Sequence, residues 1–122
     1  MTDKYVTPES LPAPYESEIL EIMAEECNEV GQRKSKVLRF GFEEVQPNQP
    51  LTNKERLSRE VGDLLFMIHL MLKLGLLDPL QIRIGETSKP DQLRKYMQNT
   101  PPDDHLALPS LLPSSYRASS SL

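Results

Sequence analysis

Between residues 15 and 39, apolar side chains recur with helical spacing. At about 100° per residue, Ile19, Met23, Val30 and Val37 share one face, which Ile22, Cys27 and Leu38 widen. The pattern predicts a long amphipathic helix beginning near Tyr15. Gly41 offers its stop, just after Lys34, Lys36 and Arg39 have brought positive charge to the C-terminal end. Gly31 weakens the middle by about 1 kcal/mol relative to Ala and marks a place for a break or kink. Residues 41–51 read as a loop with Pro47, Asn48 and Pro50 as turn chemistry. Thr52-Asn53-Lys54-Glu55 then fits a capping box, so a second helix starts there. Leu57, Val61, Leu64, Ile68 and Leu72 form one face of it, while Phe66, Leu70 and Leu74 lie on others. A helix apolar nearly all round after Asp63 needs cover on most sides, which a partner subunit would supply.

Gly75 and Asp78-Pro79 end the second helix, and Asp78 caps a third with Pro79 at its first position. That helix is expected over 79–87. Pro90 interrupts it, and a final short helix follows over 91–98 with Leu93 and Met97 inward. The ends differ in character. Pro8, Pro12 and Pro14 make residues 1–14 an extended leader, and proline and serine make residues 100–122 a flexible tail.

A chain of 122 residues suffices for one folded unit, or for a subunit that completes its core by assembling. Its net charge of −4 offers no basic field to a nucleic-acid backbone, so nucleic acid is not an expected partner. The apolar stretch of the second helix is short for a bilayer and is interrupted by His69 and Lys73, which argues against a membrane span. A lone cysteine, Cys27, and no basic-then-apolar N-terminal signal point to the cytoplasm. His69 reads as a boundary histidine, because no second His or Cys sits at ligand spacing.

Acidic residues carry the candidate chemistry. Glu26 falls within the apolar stripe of the first helix and Glu29 on its edge, three residues apart, so both project toward one place. Glu60 and Asp63 repeat that spacing at the start of the most apolar segment. Two helices would thus bring four carboxylates together, which repel unless protons or cations lie among them. Oxygen ligands without His or Cys favour Mg²⁺ or Mn²⁺. The competing reading makes each pair part of a solvated helix face.

Glu-Glu-Cys-Asn-Glu at 25–29, followed by Arg-Glu-Val-Gly-Asp-Leu-Leu at 59–65, resembles the paired E-x-x-E and E-x-x-D motifs of the all-α nucleoside triphosphate pyrophosphohydrolases. The likeness is to MazG-like proteins, particularly the short bacteriophage type. Ser35-Lys36, Leu38-Arg39-Phe40-Gly41 and the leucine-rich run after Asp63 strengthen it. The interval between the motifs is longer than is usual there.

The resemblance implies a MazG-like helical bundle over residues 15–99, completed by assembly into a homodimer or homotetramer. It implies Mg²⁺-dependent cleavage of nucleoside triphosphates to monophosphate and pyrophosphate. Glu26, Glu29, Glu60 and Asp63 would be metal ligands, and Glu25 matches the additional glutamate of the first motif. A physical mechanism adds Glu25 as acceptor of the water proton, with Lys36, Arg39 and Lys95 as candidate phosphate contacts. The alternatives are a non-catalytic nucleotide-binding module and a purely structural helical oligomer.

Overall fold

A computed structural model describes residues 7–112 and 114–115, and its regular elements are all helical: the protein is all-α. A 3-10 turn at Pro8–Ser10 precedes α1 (Pro14–Phe40), α2 (Asn53–Lys73), α3 (Pro79–Tyr96) and the single turn α4 (Asp103–Leu106). The turn falls within the expected leader, of which residues 1–6 lie outside the described residues. The chain divides into two compact units between Leu76 and Leu77, inside the 15–99 stretch that reads from sequence as one unit. Among the described residues no helix is long and apolar enough to cross a membrane.

In the first unit, α1 and α2 pack against each other. The end of α1 is tied to the start of α2 through the Gly41 carbonyl and the Asn53 side chain, so the pair is an antiparallel hairpin. Its seam has coiled-coil spacing. On α1, Ile19, Met23, Glu26, Val30, Arg33 and Val37 follow one another at alternating steps of four and three residues, and all are half-buried. Ile22, Cys27 and Leu38, expected to widen this stripe, are exposed. On α2 the corresponding series is Leu57, Glu60, Leu64, Met67 and Met71. The buried residues of α2 are Met67, Met71 and Leu72 together with Asn53, so the inner face is rotated from the expected one, leaving Val61 exposed. Unbranched methionine fills irregular gaps that stiffer side chains leave. α1 runs through Gly31 unbroken. One glycine's cost of about 1 kcal/mol is small beside the apolar stripe buried along this helix.

The loop between the helices is structured. A bond of 3.0 Å from Gln49 N–H to the Gln46 carbonyl closes a turn around Pro47 and Asn48, and Asn48 takes φ +64°. This is the type II arrangement, in which Pro presets the second position and Asn tolerates the left-handed third. Val45 and Thr52 form an isolated antiparallel bridge. Asn53, 1% exposed, donates its Nδ2 hydrogens to the Gly41 carbonyl and Glu44 Oε1, each at 3.0 Å. Asn53→Ala would strand both acceptors, and we expect it to cost about 2 kcal/mol or more in chemical denaturation.

The capping box at Thr52 is formed. Glu55 accepts the Thr52 N–H at 2.9 Å, and Thr52 Oγ1 accepts the Glu55 N–H at 3.1 Å. The backbone hydrogen bond from Thr52, reinforced by its hydroxyl, holds the Glu55 pKa below the ordinary 4.5. A lowered carboxyl pKa stabilises the fold above the unfolded value and ceases to do so as pH falls through the folded one. Glu55→Gln should therefore lower the urea midpoint near neutral pH and converge with the parent once pH has fallen through the lowered folded value. At its other end α2 closes with Gly75 at φ +73°, the Leu76 N–H bonding the Met71 carbonyl and the Gly75 N–H the Leu72 carbonyl, a Schellman motif.

In the second unit, α3 starts at Asp78, whose carboxylate accepts the Leu80 N–H at 3.0 Å. It then continues through Pro90 to Tyr96, where the sequence predicts two helices. Proline removes one backbone bond. In the turn before it, the Thr87 hydroxyl donates to the Arg83 and Ile84 carbonyls and the Ser88 hydroxyl to that of Gly85, while the carbonyl that Pro90 leaves without its helical donor is that of Glu86.

Part of the stretch expected to be a flexible tail makes specific contacts. Arg94 pairs with Asp103 at 3.0 Å as well as with Asp91 at 2.9 Å. Glu86 accepts from the Ser110 hydroxyl at 2.6 Å and from the Leu111 N–H at 2.9 Å, and Leu112 is 4% exposed. Truncation after Thr100 should accordingly lower stability by roughly 1.5–3 kcal/mol from Leu112 alone. An unchanged calorimetric midpoint would show these contacts to be energetically idle.

Candidate metal centre

Glu26 and Glu60 occupy seam positions where the flanking residues are apolar, so the hairpin that buries Met23, Val30 and Leu64 also carries the two carboxylates inward. Asp63, one turn beyond Glu60, joins them from a more exposed position. One carboxylate oxygen from each of the three lies within 4.8 Å of the others. Glu26 is the innermost group, and its Oε2 atom is buried without a hydrogen-bond partner.

The electrostatics agree with this geometry. Desolvation of the Glu26 carboxyl, followed by repulsion from Asp63, Glu60, Glu29 and Glu25, pushes its pKa above 4.5. A carboxylate with one buried, donor-less oxygen and two more carboxylates close by wants a proton or a cation. Three converging hard oxygens without nitrogen or sulfur suit Mg²⁺ or Mn²⁺. The donor set fits such an ion.

The other candidates are distributed unevenly. Glu29, half-buried one turn from Glu26, stands outside the close trio but near enough to act on the ionisation of Glu26. Exposed Glu25 acts on it likewise. Lys36 and Arg39 lie over the Phe40 ring, with Nζ and Cζ at 5.8 and 5.1 Å from its centroid. Lys95 belongs to the second unit, where it lies 5.4 Å from the Tyr96 ring centroid. His69 is exposed.

Three residues that the motif reading passes over gather beside the trio. Arg33, Arg56 and Arg59, with Gln49, Pro50 and Leu51, line a notch of about 220 Å³ to which Glu60 also contributes. Only Arg33 carries a signal in the sequence, seven residues beyond Glu26 on the same helix face; Arg56 and Arg59 lie outside the α2 seam series.

A larger cleft, of about 620 Å³, lies within the second unit between α3 and residues 106–111. Its one carboxylate, Glu86, is occupied by Ser110 and Leu111. It offers no counterpart to the trio. Comparisons of this chain with protein-family models, curated proteins and solved structures gave no match.

Proposed function

We propose that this protein is a Mg²⁺-dependent nucleoside triphosphate pyrophosphohydrolase of the MazG-like kind, working as a homo-oligomer. The observation that carries the reading is the meeting of one carboxylate oxygen each from Glu26, Glu60 and Asp63 within 4.8 Å of one another, with one oxygen of Glu26 buried and unpartnered. Three of the four carboxylates that the two acidic motifs imply take part, carried by helices packed over an apolar seam.

A divalent cation bound there would supply charge neutralisation for the triphosphate and a lowered pKa for a water. The chain's own residues supply the rest. Glu26, Glu60 and Asp63 would hold the cation, and Glu29 adds negative charge beside them. Glu25, exposed and adjacent, accepts the proton as the water oxygen bonds to the α-phosphorus and the bond to the bridging oxygen breaks, releasing pyrophosphate. The half-buried position of Glu26 and Glu60 fixes their rotamers, so the carboxylates need little reorganisation to bind.

A release assay over a nucleotide panel, with Mg²⁺ present or chelated, tests the reading. Pyrophosphate and monophosphate in equal amounts, only with the metal, are expected. Metal-dependent nucleotide binding without release would replace the enzyme by a binding module, and neither would leave a structural oligomer.

A further inference from the structure

We infer that the Arg33–Arg56–Arg59 notch seats the two terminal phosphates of the substrate, and so the pyrophosphate leaving group. This rests on the reading of the carboxylate trio as the metal centre.

Charge is the first argument. Three arginines line a small cavity in a chain whose formal charge is −4, with 18 acidic residues available as partners. None of the three forms an ion pair within 4 Å among the described residues; the ion pairs there belong to Arg94. Arg33 and Arg56 are moreover half-buried, where an unneutralised cation is disfavoured. A purely structural arginine would be drawn to one of the many carboxylates. Arg59 acts on the Glu55 carboxyl without contact, so three arginines lining one notch with none in contact with a carboxylate match an anion carrying more than one charge.

Position is the second argument. On both helices the arginines stand on the loop side of the acids: Arg33 is two turns beyond Glu26 and Arg56 one turn before Glu60. At 1.5 Å per residue these offsets are about 6 and 10 Å along the helix axes, a span on the scale of an extended phosphate chain. Glu60 lines the notch and belongs to the trio, so the two sites are continuous. With the α-phosphorus at the trio, the β- and γ-phosphates extend toward the loop and into the notch.

The notch is also held in shape. Arg56 Nη1 donates to Gln46 Oε1 at 3.0 Å, which fixes its guanidinium against the loop and leaves its other N–H groups to point elsewhere. The loop that supplies Gln49, Pro50 and Leu51 is pinned by the buried Asn53. Guanidinium groups so placed stabilise negative charge as it develops on the departing pyrophosphate. Nucleoside triphosphates should accordingly bind better than diphosphates, and diphosphates better than monophosphates.

The test is calorimetric binding of inorganic pyrophosphate to the full chain with Mg²⁺, compared with the Arg33→Gln/Arg59→Gln double variant. Mn²⁺ binding followed by electron paramagnetic resonance serves as a control on the trio. We expect pyrophosphate affinity to fall at least about ten-fold in the double variant while Mn²⁺ affinity is unchanged. Equal pyrophosphate affinity in parent and variant, or no binding to the parent, would overturn the assignment. Because Arg33 lies in the seam, Arg59→Gln alone, at an exposed position, is the second variant. It should weaken pyrophosphate several-fold with an unchanged melting temperature, and the absence of any weakening would again overturn the notch. Arginine-dependent pyrophosphate binding without nucleotide turnover would retain the notch and remove the hydrolase. Turnover with arginine-independent binding would do the reverse.

Discussion

Glu26→Gln should lower nucleotide turnover by at least about a hundred-fold and, in the same protein, raise the melting temperature of the metal-free form. The two effects have one cause. Glu26 is the carboxylate whose buried oxygen lacks a partner and whose ionised form is opposed by desolvation and by four neighbouring acids. Neutral Gln keeps the volume in the seam, removes the repulsion, and removes the charge that a divalent cation needs. The sign in pH follows. A carboxyl raised above its unfolded value binds protons more readily in the fold, so its contribution to stability falls as pH climbs from 4.5 through the raised value. The metal-free parent should show that decline and Glu26→Gln should lack it. Asp63→Asn should lose turnover equally, with a smaller change in melting because Asp63 is exposed. Pyrophosphate release, Mn²⁺ binding and melting in chelator measure the three quantities. Near-parental turnover in both variants would remove the metal centre.

Light scattering at micromolar concentration should give a dimer or tetramer, and Phe66→Glu should dissociate it. The first unit leaves an apolar surface uncovered: Phe66 is 65% exposed and Leu38 75%, with Ile22, Leu20, Val61 and Leu65 also exposed. A two-helix hairpin can bury only one stripe of each helix, and large apolar side chains outside that stripe remain in water unless a second copy covers them. A phenylalanine buried at a symmetric interface counts twice, so a single charge there introduces two unpaired charges into the contact. A parent protein that is monomeric in solution would contradict the assembly, and so would a Phe66→Glu variant of unchanged mass.

Local chemistry let the sequence determine where the helices begin and end. Thr52 and Glu55 reciprocate within four residues, Asp78 and Pro79 set a helix start, and Gly41 and Gly75 supply the positive φ that ends α1 and α2. Such signals need no distant partner. The same holds for the acidic pairs, since E-x-x-E and E-x-x-D spacing places each pair on one helix face by helical geometry alone. Tertiary packing decided the rest. The rotation of α2 that buries Met67 and Met71 and exposes Val61 follows from which stripe meets α1, and a helix apolar nearly all round does not encode that choice. Continuity of α3 through Pro90 shows that one missing backbone bond does not by itself end a helix. Selection of Glu26, Glu60 and Asp63 as the meeting trio required the register between two helices, and that register is set by Asn53 clamping the loop to the end of α1. The arginine notch has the same origin. Arg33, Arg56 and Arg59 are ordinary surface charges in the sequence, and only the antiparallel seam brings them to the edge of the carboxylates.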